Sequence, residues 1–331
     1  MSKKLTVAAV VIGRNEGQRL VRCLQSLVPQ VDQIIYVDSG SSDKSVSAAR
    51  TLGATVVELD RSVPFTAARA RNAGFSAIAA SGHAPDYVQF VDGDCSVDSG
   101  WVAAATNTLH ADPDLGIVTG WRRETNADAS IYNAMFEVEW HRPDGLINAC
   151  GGDMMVRSDV FQSVGGFNAQ VIAAEDDEFC IRVRKSGKLI RRLPLQMTEH
   201  DANMTRFSQW WQRTKRSGHG FAQVGHLHPE HFVAERRRVW FYGAVLPLLL
   251  ILSLAFQAWW VVGLVVAIYA ISFMRTVSGL GQLGVDTASA RRQAVFLTLS
   301  KFPNLIGMVT YWKRHLRDAP MTIIEYKRIN E

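Results

Sequence analysis

Residues 87–97 read YVQFVDGDCSV. A mostly apolar run, 87–91, leads into two acids, Asp92 and Asp94, separated only by Gly93. The run has the length and composition of an interior strand. Unpaired charge at the end of such a strand is costly. The acids therefore need compensation, and a divalent cation is one candidate.

Upstream of that stretch, residues 6–12 are apolar and β-branched, as a buried strand should be. Residues 16–27 place Leu20, Leu24 and Leu27 at helical spacing, with Pro29 just past the end. A second strand is expected over 33–37, closing on DSGSSD at 38–43, then a helix over 44–52 stopped by Gly53. Residues 54–59 read as a third strand and 65–80 as a helix. Strand and helix alternate with short loops, which predicts a parallel α/β sheet with right-handed crossovers. Ligands of such sheets sit beyond the carboxyl ends of the strands. Residues 14–16, 38–43 and 92–94 all follow strands at those ends, so three polar clusters should converge on one edge.

At 331 residues the chain can hold one large domain with an appendage, or two domains. The net charge of +5 is too mild to argue for nucleic-acid binding. Cys23, Cys95, Cys150 and Cys180 lie far apart with no CxxC pairing and read as reduced, buried thiols, which points to the cytosol. Residues 1–12 carry two lysines and a short apolar run, but no small-residue cleavage site follows, so a first strand is preferred over a secretion signal. Neither GxGxxG nor GxxxxGK[ST] occurs where a phosphate loop would need it. If a nucleotide binds, its phosphates fall to a carboxylate-held metal and nearby arginines.

Six segments occur in an order and spacing that resemble family 2 glycosyltransferases of GT-A fold: VIGRNEGQRLVRCLQSL, YVDSGSSDKS, ARARNAGF, FVDGDCSV, GGDMMVRSDVFQSVGGF and AEDDEFCIRVRKSG. The resemblance covers roughly residues 5–230. It implies a mostly parallel central sheet flanked by helices, and transfer of a sugar with inversion from a nucleotide-sugar. Arg14, Asn15 and Glu16 would line the nucleotide base, with an arginine where the family often has tyrosine; the alternative is a helix start capped by Asn15. Asp38 would accept from a base ring nitrogen, which favours UDP, whereas Asp43 is a helix cap. Arg71 would pair with the donor diphosphate.

Asp92 and Asp94 match the Asp-x-Asp arrangement, with side chains at i and i+2 on one side of an extended turn. Oxygen ligands of this kind suit Mg²⁺ or Mn²⁺. Asp94 is the expected direct ligand, Asp92 the second and a donor contact, with a polar turn as the alternative. Asp153 would touch the donor sugar beside Gly151 and Gly152. The family pattern Glu-Asp-x-Asp/Glu followed by arginine matches Glu175, Asp176, Glu178 and Arg182. By that match Asp176 is the general base, with Glu175 as its substitute. His200 is a third metal ligand, a phosphate contact, or a plain loop histidine. Trp210 or Trp211 would stack on an acceptor sugar or belong to the core. Gln209, Trp210, Trp211 and Arg213 miss the spacing of processive relatives. His219, His226, His228 and His231 lack an acid or cysteine partner and read as an interfacial loop.

Residues 239–274 run 36 residues without a charge, more than the roughly 20 that one span needs. Gln257 interrupts the run between Phe256 and Trp259, which predicts a helical hairpin, spanning or re-entrant, with a buried hairpin of a soluble oligomer as the alternative. Arginines flank both ends, which keeps both on the cytoplasmic face of the inner membrane. Residues 294–317 form an amphipathic stretch suited to a membrane surface. The domains are thus drawn at 1–230, catalytic, and 231–331, helical and membrane-associated. The expected activity is metal-dependent sugar transfer to a lipid-linked or cell-envelope glycan. The alternatives are a nucleotidyl- or phosphotransferase on the same metal site, and a non-catalytic nucleotide-binding scaffold.

Overall fold

The computed structural model describes residues 5–80, 82, 84–140 and 142–326; Lys3 and Lys4 of the lysine-led start lie outside them. The strands are β1 (Val7–Gly13), β2 (Gln33–Asp38), β3 (Thr55–Glu58), β4 (Tyr87–Asp92), β5 (Cys95–Val97), β6 (Leu115–Glu124), β7 (Gly145–Ile147), β8 (Met154–Arg157) and β9 (Leu189–His200). Among the described residues they form one sheet in the order β3-β2-β1-β4-β8-β6-β9-β5, with β7 beside β9.

The first half follows the alternating pattern of the sequence. β3, β2, β1 and β4 run parallel, and helices Gln18–Leu27, Ser45–Thr51 and Ala67–Ala80 connect them. Side chains alternate between two cores. Val7, Ala9 and Val11 of β1 join Leu20, Leu24 and Leu27 on one face; Ala8, Val10 and Ile12 join Phe75 and Ile78 on the other. The polar Gln89 inside the apolar run is satisfied: its Oε1 accepts from the Trp101 indole N–H at 2.8 Å and its Nε2 donates to Phe90 O at 2.8 Å.

The second half is mixed rather than parallel. β8 runs antiparallel to both β4 and β6, β5 and β7 are antiparallel to β9, and β6 alone pairs β9 in parallel. Three register shifts interrupt the β6–β9 ladder, which breaks the period-2 pattern that betrays a strand in sequence.

The chain divides into two compact units: one running to Ala127 and resuming over Glu139–Asn203, the other comprising Asp128–Val138 and Met204 onward. The boundary falls at Asn203/Met204, earlier than the 230/231 drawn from composition. The reason is that the polar helix Phe207–Leu227 packs along helix Lys301–His315 inside the second unit. Gly218 and Gly307 permit that crossing. A Cβ on Gly218 would lie 2.1 Å from Asn304 O, and one on Gly307 would lie 2.0 Å from Lys215 O.

The second unit also corrects two local expectations. His219 and His226 sit on helix Phe207–Leu227 rather than in a loop; His219 is fully buried and His226 Nδ1 lies 2.6 Å from Tyr311 Oη. Burial, with Arg314 and Arg216 nearby, pushes the His219 imidazole down to about 3. The 294–317 stretch is broken at Ser300, and its second helix turns Pro303, Gly307, Met308 and Tyr311 inward. Pro303 is tolerated there because it lies in the first turn.

The hairpin is longer than its charge-free core. Val233–Ala255 and Trp259–Gln282, of 23 and 24 residues, are each long and apolar enough to cross a membrane. Gln257 does fall on the turn, with φ of 54°, in the left-handed region. Ile251, Phe256, Trp259, Trp260, Leu264 and Val266 all remain more than half exposed.

Candidate active site

Parallel pairing aligns the strand ends. Gly13 pairs with Asp38 and Ile12 with Asp92, so the 14–16, 38–43 and 92–94 segments leave the sheet at one edge. At the far side of that edge, β9 places His200 opposite Cys95 of β5 and Glu124 of β6. The register therefore brings Asp94, His200 and Glu124 together. Asp94 Oδ2 lies 3.4 Å from His200 Nε2, and His200 Nδ1 lies 3.1 Å from Glu124 Oε2. Burial alone would lower the His200 pKa, but Asp94 and Glu124 hold it above the ordinary imidazole value.

Two guanidiniums organise the remaining acids. Arg71, buried on helix Ala67–Ala80, donates from Nη2 to Asp92 at 2.9 Å and from Nη1 to Glu175 at 2.7 Å. It joins the Asp-x-Asp turn to the start of helix Glu175–Lys185. Burial works against its charge, yet Asp92 and Glu175 raise its pKa above the usual guanidinium value. Gly152 makes room for it: a Cβ there would lie 2.0 Å from Arg71 Nη2. Arg122 of β6 pairs with Asp153 at 2.6 Å, approaches Asp92 at 3.9 Å, and packs on the Trp140 ring 5.0 Å from its centroid. Trp140 in turn meets His200 edge-on at 4.7 Å.

Asp176 is half-buried, and its Oδ1 accepts from the Asp177 N–H at 3.0 Å. Burial first, then the negative charges of Glu175 and Asp177, raise its pKa well above the carboxylate range, against the pull of Arg71. The direction of that shift makes its carboxylate a better proton acceptor than an ordinary aspartate. Glu175, expected as its substitute, is held by Arg71 instead.

Several other expected contacts have internal partners. Asp153 is buried: Oδ1 accepts from the Asp92 N–H at 3.0 Å and Oδ2 from Thr198 Oγ1 at 2.9 Å, so it supports the Asp-x-Asp backbone from beneath. Asp38 accepts from Tyr36 Oη at 2.9 Å and from the Gly40 and Ser41 N–H groups at 2.9 and 2.8 Å, which fixes the 39–41 turn. Asn15 clips to that loop by accepting from Ser42 N–H at 2.7 Å. Glu16 pairs with Arg19 at 2.8 Å, and Arg14 lies over the Phe65 ring at 6.0 Å. Asp43 accepts from the Ser45 N–H at 2.9 Å, but it stands one residue before the N-cap of that helix, which is Lys44 and not Asp43.

Trp210 and Trp211 lie in the second unit. Trp210 is buried against Tyr132, Phe207 and Phe296, so it is a core residue and not a sugar platform. Trp211 is half-buried beside Phe207. Arg122 and Glu124 escaped the sequence reading because β6 is bulged and WRRE, 121–124, shows no alternation; Trp140, at the end of helix Ile131–Trp140, escaped it as well.

The donor set fits a hard divalent cation. Asp94 Oδ, His200 Nε2 and Cys95 Sγ lie within 4.8 Å of one another, but Cys95 points into the apolar core and burial keeps its thiol protonated. Asp94 and His200 remain as the candidate ligands, with Asp92 adjacent. Six carboxylates, Asp92, Asp94, Glu124, Asp153, Glu175 and Asp176, share Arg71, Arg122 and one imidazole. Further positive charge is what that imbalance calls for.

Residues 8–163 match the family described as Glycosyl transferase family 2, and residues 134–206 match the N-terminal domain of galactosyltransferase. A TPR repeat-containing protein of Synechococcus elongatus is 31% identical over 42% of this chain and 32% of its own length. The pre-mycofactocin glycosyltransferase of Mycobacterium tuberculosis is 25% identical over 68% of this chain and 48% of its own. The chain thus spans a third to a half of the length of these curated relatives. A mannosyltransferase from Pyrobaculum calidifontis, solved with GDP-Man and Mn²⁺, has a TM-score of 0.58 at 16% identity, covering 94% of this chain and 88% of that one. That likeness extends the GT-A fold over the chain.

Proposed function

We propose that this chain, a carrier of a glycosyl transferase family 2 domain over residues 8–163, is a metal-dependent, inverting glycosyltransferase acting at a membrane. The observation that carries this reading is the Arg71 bridge. It ties the Asp-x-Asp turn to the helix that presents Asp176, so a cation site and a proton acceptor share one rim.

Asp94 and His200, with Asp92 beside them, would hold Mn²⁺ or Mg²⁺, which when bound supplies Lewis-acid neutralisation of a departing diphosphate. The acceptor hydroxyl attacks the anomeric carbon as the bond to the phosphate oxygen breaks, and its proton passes to Asp176 Oδ. The nucleoside diphosphate leaves with the bonding pair. Arg71 holds Asp92 and Glu175 in place throughout. The donor is a nucleoside diphosphate-sugar. Asp38, the residue that would favour UDP, has one oxygen taken by Tyr36 Oη and the other by the Gly40 and Ser41 N–H groups, so the donor panel below decides the base.

The acceptor is a lipid-linked or envelope glycan, because the exposed apolar hairpin would bring the site to such a substrate on the cytoplasmic face of the inner membrane. A panel of UDP-, GDP- and dTDP-sugars, with membrane lipid extract and Mn²⁺ or Mg²⁺, tests the whole reading. Expected is release of nucleoside diphosphate with labelled sugar in the lipid or glycan fraction, both lost with chelator. Pyrophosphate release without sugar transfer would instead mark a nucleotidyltransferase. Donor binding without turnover on any acceptor would mark a scaffold.

A further inference from the structure

Glu124 takes no part in the chemistry above, yet it is buried beside the cation site. Its carboxylate does two things. It accepts from the Ala202 N–H at 3.3 Å and the Asn126 N–H at 3.3 Å, holding the turn after β9. Its Oε2 also lies 3.1 Å from His200 Nδ1, on the side of the ring opposite Asp94.

A neutral imidazole carries one N–H, and the partner at one nitrogen decides where it sits. We propose that Glu124 is a positioning residue: by accepting from Nδ1–H it fixes the His200 tautomer that turns the Nε2 lone pair toward Asp94 and a cation. This deepens, and rests on, the assignment of Asp94 and His200 as metal ligands. A carboxylate behind a ligating histidine also fixes ring orientation and raises ligand basicity.

Glu124→Gln separates this role from a structural one. The amide oxygen still accepts from the backbone N–H groups, but its NH₂ faces Nδ1 and drives the ring proton to Nε2, blocking the cation. Expected is a 10- to 100-fold loss of Mn²⁺ affinity, read by the EPR signal of free Mn²⁺ with the full chain and no nucleotide, at an unchanged melting temperature. In a His200→Ala background the same change should have no further effect.

Ring ¹⁵N NMR at a pH high enough to make His200 neutral, with His200→Ala to assign the signal, should show the Nδ1–H tautomer in the natural protein and the Nε2–H tautomer in Glu124→Gln. Equal Mn²⁺ affinity in Glu124→Gln, or an Nε2–H tautomer in the natural protein, overturns the inference. Mn²⁺ binding that is absent from the natural protein, or indifferent to Asp94→Ala, sinks the metal reading instead.

Discussion

The two compact units break opposite rules of protein surfaces. The sheet-bearing unit buries charge: Asp94, Asp153, Glu124, Glu175 and Arg71 are all withdrawn from solvent and lashed together by hydrogen bonds and ion pairs. The helical unit exposes grease: Ile251, Phe256, Trp259, Trp260 and Val266 stand more than half in the open. Each departure is expensive in water, the first through desolvation and the second through unburied apolar area. Each would become favourable with the partner proposed above, a cation in one case and hydrocarbon in the other. An exception to solvation physics is therefore a better guide to function than any regular element.

The comparison breaks most severely at Asp94. Asp94→Ala removes a carboxylate with no substitute, and metal-dependent turnover should fall about 10³-fold, equivalent to several kcal/mol of transition-state stabilisation. Steady-state rates across a Mn²⁺ titration check this; a rate that keeps its metal dependence refutes the site.

Asp176→Asn should cost about 10²- to 10⁴-fold in transfer while donor affinity holds. It carries a stability signature as well. Because burial and neighbouring acids raise the pKa in the folded state, ionising Asp176 destabilises the fold as pH climbs from the ordinary carboxylate range through the raised value. The Asn variant should therefore melt higher than the natural protein at neutral pH, and the gap should close toward about pH 4. For the same reason the acid limb of the natural enzyme's pH–rate profile should lie above that range. Melting and rate measurements over pH 4–8 would show both, and a gap that widens toward acid would contradict the assignment.

Ile251→Arg tests the other unit. Ile251 lies close to the Ala255 end of its helix, so an arginine there costs at most about 2.5–3.5 kcal/mol, the cost of a charge at a helix centre, and the protein should shift from the membrane pellet toward the supernatant. An unchanged partition would mean the hairpin packs on protein.

Gly152→Ala sharpens the comparison from within the charged rim. The added methyl must displace Arg71, and a misplacement of that order costs up to about 10²-fold in rate. A crystal or NMR comparison showing Arg71 unmoved, with full activity, would remove its organising role.

What could be read beforehand follows from how each feature is encoded. β1 to β4 were legible because apolar strands and leucine-spaced helices carry the 2.0 and 3.6 periods locally. The turn holding Asp92 and Asp94 followed from where a buried strand must end, and the hairpin from 36 charge-free residues broken at Gln257. β6 was hidden by its bulges, and with it Arg122 and Glu124, whose partners His200 and Asp153 come from other strands. Trp210 stayed open between sugar platform and core because sequence shows residue type without neighbours; only packing gives Tyr132 and Phe296 as its company. Asp153 and Asp38 sit on the edge where the sequence puts the polar clusters, and their hydrogen bonds go to the scaffold, which residue type alone does not reveal.

Arg71 reaches two acids on separate elements because its side chain ends in a flat fork whose two terminal nitrogens diverge. A lysine there would keep the positive sign and lose the fork. Arg71→Lys could serve the sheet or the helix, never both at full strength. What must be inherited at this position is a shape, and a chemist conserving only valence would cut the tie.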